Sequence, residues 1–109
     1  MVVVVSNRIP VAKGWEEDFE RRWIDRKYQL GRSPGFIRNE VLKPIKGGYY
    51  VVRTYWETME HFERWTRSPE FQKSHENTPP KEAFSGPNVL EMHEILAEYG
   101  KDLRQDRIL

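Results

Sequence analysis

Residues 36–56 read FIRNEVLKPIKGGYYVVRTYW, two runs rich in β-branched and aromatic residues separated by Pro44 and by Lys46-Gly47-Gly48. The runs Phe36–Leu42 and Tyr49–Trp56 predict an antiparallel hairpin, because proline and glycine break regular structure while the flanking segments favour a pleated backbone. What stands on either side of this hairpin decides the fold. Before it, Gly14 opens a segment in which Trp15, Phe19 and Trp23 recur at helical spacing, with Ile24 and Leu30 as further candidates for the apolar face. Glu16, Glu17 and Asp18 fall early and Arg26 and Lys27 late, the order the helix dipole favours; Gly31 and Pro34 stop the helix. After the hairpin, Met59, Phe62 and Trp65 recur at i, i+3, i+6 behind Thr58, a good N-cap residue. Ser68-Pro69 ends that helix and begins another turn, with Ser at the N-cap, Pro at the first helical position and Glu70 just inside.

The ends of the chain supply the remaining strands. Met1 to Ile9 carries four consecutive valines and reads as a strand apolar on both faces, and so covered on both, until Asn7 interrupts it. Val89 to Leu96 reads as a fourth strand, and Asn77 to Pro87, with three prolines and a glycine, as a loop. The charged tail from Tyr99 to Leu109 reads as a frayed helix, so residues 1–98 are taken as the domain and 99–109 as a tail. The order β-α-β-β-α-β is the ferredoxin-like split βαβ arrangement, an α+β fold with a four-stranded antiparallel sheet and its helices on one face. The other face also holds apolar residues, Val2, Val4, Tyr50, Val52 or their alternates. It is expected to pack against a second copy, giving a homodimer closed as an α+β barrel over about 1,200–2,000 Å² or more.

Composition bounds the function. A chain of 109 residues with 14 aromatics (4 Trp, 5 Tyr, 5 Phe) makes one folded domain rather than a disordered segment. Eighteen basic against seventeen acidic side chains, with the signs interspersed, offer no field for nucleic acid and no polybasic membrane patch. With no cysteine there is no disulfide, thiolate catalysis or Cys-ligated zinc or iron–sulfur centre. The longest apolar run, Met1 to Val5, is far below the ~18–20 residues of a membrane span, and a soluble cytoplasmic protein is expected.

No glycine-rich phosphate loop or HExxH motif is present, and nothing in the spacing of His61, His75 and His93 supports a three-histidine metal site. Three residues stand out, each with a plain structural alternative. Asn7 either ends the buried part of its strand or meets a ligand, since an unsatisfied buried amide costs ~1–3 kcal/mol. Trp65 is core at helical spacing, or a wall of a site. His75 caps a helix C-terminus, or ligates. Arg22 and Arg26, at i and i+4, are solvated bases or a clamp for two carboxylates.

The joint pattern resembles a known family. Asn7-Arg8-Ile9-Pro10-Val11-Ala12-Lys13-Gly14, then Phe19 and Arg22 to Arg26, Ser33-Pro34-Gly35-Phe36, Tyr55-Trp56-Glu57, and above all Phe62-x-x-Trp65-x-x-Ser68-x-x-Phe71-x-x-x-His75 are similar to the Isd-type haem-degrading monooxygenases of the antibiotic-biosynthesis-monooxygenase-like (ABM) superfamily. The likeness covers about residues 3–96. It implies that His75 is the axial ligand of the haem iron, Asn7 a distal hydrogen-bond donor and Trp65 the bulk that presses on the porphyrin. It further implies Arg22 and Arg26 near the propionates and Trp23 and Phe71 as apolar walls. Haem would then be both cofactor and substrate, opened to a linear tetrapyrrole with release of iron. The other requirements are O2 and external electrons from a reductase or small reductant. Two other readings fit the same residues: a haem carrier or sensor without turnover, and a cofactor-free oxygenase of quinols or aromatic polyketides. Two departures bear on the pocket rim. Pro10 donates no ladder hydrogen bond and is expected to end its strand soon after Asn7, and the proline-rich loop is expected to affect access.

Overall fold

The computed structural model describes residues 1–25, 30–76, 78–101 and 107–108. Its elements are β1 (Val3–Ile9), α1 (Glu16–Ile24), β2 (Phe36–Leu42), β3 (Tyr50–Trp56), α2 (Met59–Thr66), α3 (Pro69–Ser74), β4 (Val89–Glu94) and two short strands, β5 (Ala97–Glu98) and β6 (Arg107–Ile108). Leu30–Arg32 and Lys81–Ala83 form single 3-10 turns. The main sheet has the order β2-β3-β1-β4 with every neighbouring pair antiparallel. This is the ferredoxin-like α+β fold. Among the described residues no helix is long and apolar enough to cross a membrane.

Local chemistry accounts for the boundaries. The Thr58 side chain accepts the His61 backbone N–H at 3.2 Å and the Ser68 side chain that of Phe71 at 3.2 Å, so α2 and α3 start at the two caps the sequence offers. In Ser33-Pro34-Gly35-Phe36 the Phe36 N–H donates to the Ser33 carbonyl at 3.1 Å, with Gly35 at φ +80° as a type II turn requires. A Cβ on Gly35 would lie 2.2 Å from the His61 ring, so this turn and α2 interlock only because the residue is glycine.

The sheet separates its two faces more sharply than the valine run implies. Along β1, Val3, Val5 and Ile9 are buried while Val4, Ser6 and Arg8 are half-buried, so one face is covered and the other is not. Tyr50 and Val52 lie opposite Ile9 and Asn7 and pack under Phe19, on the covered side; their alternate Val51 joins Val4 on the open side. On that open face Glu40 accepts from Arg53 Nη2 at 3.0 Å and from the Tyr55 hydroxyl at 2.9 Å, and the Arg38 guanidinium sits 4.1 Å over the Tyr55 ring.

Other expectations need correction. Ile24 is 81% exposed, and Leu30 is buried from the 3-10 turn rather than from α1. Arg26 and Lys27, the bases expected late in the first helix, lie outside the described residues. β1 runs on to Ile9 against β3 and ends immediately before Pro10, because the proline's missing N–H matters only at its own position. Arg107–Ile108 of the tail pairs as strand, not helix, with Ala97–Glu98 at the end of the 1–98 segment.

Two clusters fill the covered side. Val3, Val5, Leu30, Trp56 and Trp65 form one, and Ile9, Phe19, Tyr50 and Val52 the other.

Candidate active site

Beside the second cluster the covered layer is incomplete, leaving a cavity of about 850 Å³. Its floor is Asn7 and Ile9 of β1, α1 contributes Phe19, Arg22 and Trp23, and Ser74 and His75 enter from the end of α3. The segment 78–88 closes another wall with Pro79, Lys81, Phe84, Pro87 and Asn88 among others. That segment is pinned onto the chain following β1. The Pro10 carbonyl accepts from the Ser85 N–H at 2.9 Å, and the Ala12 N–H donates to the Ala83 carbonyl at 2.7 Å. The wall is therefore built from a stretch whose polar, proline-rich composition reads as plain loop. Its signal in the sequence is Ala83-Phe84, the apolar pair within it, of which Ala83 is buried.

The strand period places Asn7 here, since it shares the covered face with Val3, Val5 and Ile9. Its Oδ1 accepts from Asn88 Nδ2 at 2.8 Å. His75 is the C-cap of α3 and its backbone N–H bonds the Gln72 carbonyl, as the plain capping reading holds. Its ring does more. Nδ1 lies 2.8 Å from the Phe71 carbonyl, which can only accept, so Nδ1 carries a proton and a neutral ring keeps its lone pair on Nε2. The Ser74 hydroxyl, 3.1 Å from the same nitrogen, donates to the same carbonyl at 2.8 Å. The exposed imidazole is thus fixed in tautomer by its own helix, the support a metal-ligating histidine ordinarily has.

Arg22 reaches the cavity with its Nε held 2.8 Å from Asp18 Oδ2. Trp65 and Phe71 do not line this cavity. Trp65 is buried in the first cluster, its ring centroid 6.3 Å from that of Trp56 in a stacked pair, and Phe71 stands edge-on to it at 5.7 Å. Phe71 in turn meets the His75 ring at 4.2 Å, so a row of rings runs from the core to the histidine. Arg26 lies outside the described residues. Among the described residues no group of three or more His, Asp or Glu side chains could hold a bare metal ion.

The model of the family described as antibiotic biosynthesis monooxygenase matches residues 2–77. The chain belongs to that family. Within it the similarity runs to the haem-degrading, Isd-type monooxygenases, which are enzymes. A mycobilin-producing haem oxygenase of Mycobacterium tuberculosis is 34% identical over 98 residues, 88% of this chain and 91% of the relative. A staphylobilin-producing haem oxygenase of Staphylococcus haemolyticus is 34% identical over 89 residues, 79% of this chain and 85% of the relative. Among solved structures, that of the M. tuberculosis haem degrader MhuD with two haems bound in its active site superposes with a TM-score of 0.75. It is 31% identical, covering 90% of this chain and 99% of that one.

As a member of the antibiotic biosynthesis monooxygenase family, this chain has its cavity on the helix-covered face of the sheet, between the two helical segments and the closing loop. Four residues singled out in the sequence, Asn7, Arg22, Trp23 and His75, meet there from separate elements. Asn88 carries no local signal in the sequence, because its place depends on the β1–β4 pairing, and the loop wall is set by its bonds to Pro10 and Ala12, with Ala83-Phe84 as its trace in the sequence.

Proposed function

We propose that this monooxygenase binds haem in the cavity and opens it to a linear tetrapyrrole, releasing iron. The observation that carries the reading is the imidazole of His75, held by the Phe71 carbonyl with Nε2 left to ligate, in one cavity with the Asn7 amide. The surroundings suit an apolar, planar dicarboxylate. Ile9, Phe19, Trp23 and Phe84 supply apolar walls, and Arg22, Lys73 and Lys81 supply cations for carboxylates. A volume of about 850 Å³ falls within the range of a small-molecule site, ~300–1,000 Å³.

In this reading His75 is the axial ligand and Asn7 the donor for the ligand on the iron's other side. Arg22 pairs with a propionate and Trp23 flanks the ring, while Phe71 backs the His75 imidazole from outside the cavity wall. Arg26 is assigned the second propionate on the family resemblance alone. Trp65 acts as bulk behind the histidine, bearing on the porphyrin through Phe71 and His75 rather than from the cavity wall. When bound, haem supplies the chemistry, acting as cofactor and substrate toward O2 with electrons from a reductase or a small reductant. The chain's part is to orient, to exclude water with its apolar walls, and to offer an N–H donor that has no acid proton to give. The open sheet face, with Val4, Val51, Leu42 and Val89, is the surface proposed to meet a second copy and close the barrel.

Haemin titration tests the reading. A saturable Soret band at one haem per chain, followed by loss of that band with tetrapyrrole absorption and chelatable iron when a reductant is added in air, is the expected result. Saturable binding without ring opening would leave a carrier. Absence of a specific complex would overturn the haem reading in favour of a cofactor-free oxygenase.

A further inference from the structure

Asn7 is not alone in the cavity wall. Asn88, the residue just before β4, lines the same cavity and donates from Nδ2 to Asn7 Oδ1 at 2.8 Å. The two stand 81 positions apart in sequence and meet because β4 pairs with β1, with Leu90 opposite Asn7. A primary amide has a carbonyl end that only accepts and an NH2 end that only donates, and rotation about its last side-chain bond exchanges them across a shallow barrier. An unheld Asn7 would present either end to a ligand. The donor at Oδ1 biases the choice, since exchanging the ends of Asn7 requires the Asn88 amide to turn with it, and leaves Nδ2, which takes no partner among the described residues, as the end available to the cavity.

We propose that Asn88 is a positioning residue for the reaction at this site: it locks the Asn7 amide so that the NH2, not the carbonyl, faces a ligand held opposite His75. The proposal deepens the haem reading and rests on it. An electronegative ligand is attracted by the donor end and repelled by the acceptor end, and a donor already aimed costs no reorganisation when the ligand arrives.

Asn88→Ala and Asn88→Asp separate this role from a structural one. The carboxylate of Asn88→Asp only accepts, so it takes the Asn7 NH2 for itself and turns Oδ1 toward the cavity. The readout is the C–O stretch of carbon monoxide bound to the reduced haem complex, which a neighbouring donor lowers and a neighbouring acceptor raises. With Asn7→Ala as reference, Asn88→Ala is expected to move the band toward the reference, and Asn88→Asp to reach or pass it. Turnover should fall about 10-fold or more, while haem Kd stays within about 2-fold and the circular dichroism is unchanged. Wild-type band positions in both variants would overturn the proposal.

A wild-type protein that forms no haem complex would refute the haem reading instead, and the amide lock is then judged on the free protein. In 15N-labelled samples one Asn7 side-chain NH2 proton should move downfield in Asn88→Asp, as a bond to carboxylate requires. Unchanged Asn7 side-chain signals would overturn the lock.

Discussion

Along one strand the same face of the sheet is built in two ways. At Val3 and Val5, β1 lies under a filled layer, with Trp56 beside it on β3, Leu30 and Trp65 buried over it and Phe36, Met59, Phe62 and Phe71 packed around them. Two residues further on, about 7 Å at the rise of a strand, the same side reaches Asn7 and the layer opens into the cavity under α1 and the 78–88 segment. The filled end is made of indoles and aliphatics that meet each other; the open end is walled by groups that meet a hollow. Stability and site are therefore separable over a very short distance, and substitutions at the two ends should fail in different ways.

The largest effect belongs to the filled end. Trp65→Ala removes a buried indole stacked on Trp56, and denaturant unfolding should show a loss of about 3–5 kcal/mol. A loss below about 1 kcal/mol would mean that this end is no better packed than the other. Gly35→Ala comes next at about 2–4 kcal/mol, combining a left-handed backbone with a Cβ driven into the His61 ring. At the open end the order reverses. His75→Ala should change stability by less than about 0.5 kcal/mol, since the side chain is exposed, yet abolish the axial-ligand signature of the ferric haem spectrum. Asn7→Ala should keep that spectrum and lose ring opening, and full turnover in the variant would remove Asn7 from the site.

The smallest effect sharpens the boundary between the two ends. Under α1 the Tyr50 hydroxyl donates to Glu20, which Lys43 also contacts at 3.1 Å. The hydrogen bond from Tyr50, then that from Lys43, holds the Glu20 carboxyl below its usual range. Burial, then the same bond, pushes Tyr50 up to about 12. A lowered acid contributes above its unfolded pKa and loses that contribution as pH falls through its folded value. A raised phenol contributes below its unfolded value and loses it as pH rises toward 12. The difference in Tm between wild type and Tyr50→Phe should accordingly be flat from about pH 6 to pH 9 and narrow at both extremes. A difference that does not vary with pH would reduce the pair to packing alone.

Much of the architecture could be read directly. The hairpin is marked by its own breakers, and α2 and α3 by Thr58 and Ser68-Pro69, because caps and turns are local chemistry confined to a few residues. The division of faces at Tyr49-Tyr50-Val51-Val52 could not be read, since four apolar residues in a row carry no alternation. Only pairing to β1 assigns Tyr50 and Val52 to the helix side. Of the candidate cavity, four lining residues, Asn7, Arg22, Trp23 and His75, stood out in the sequence, but its shape did not. Trp65 illustrates the limit: helical spacing places it on the apolar face without saying whether that face meets a core or a hollow, and the structure seats it against Trp56. The Asn88 amide and the loop wall depend on contacts spanning most of the chain.

Asn7 and His75, the two side chains on which the proposed function rests, are carried on supports of very different firmness. Asn7 rides on β1, which is bonded to β3 through seven residue pairs, Val3–Trp56 to Ile9–Tyr50, and to β4 through six, Val3–Glu94 to Arg8–Val89. His75 closes a helix of six residues at the surface. In hydrogen–deuterium exchange the β1 amides should open only with global unfolding, whereas those of α3 should open by local fraying, many times faster. The molecule thus holds one side of its cavity as a fixed reference, and the histidine side is the one left to adjust to whatever the cavity takes up.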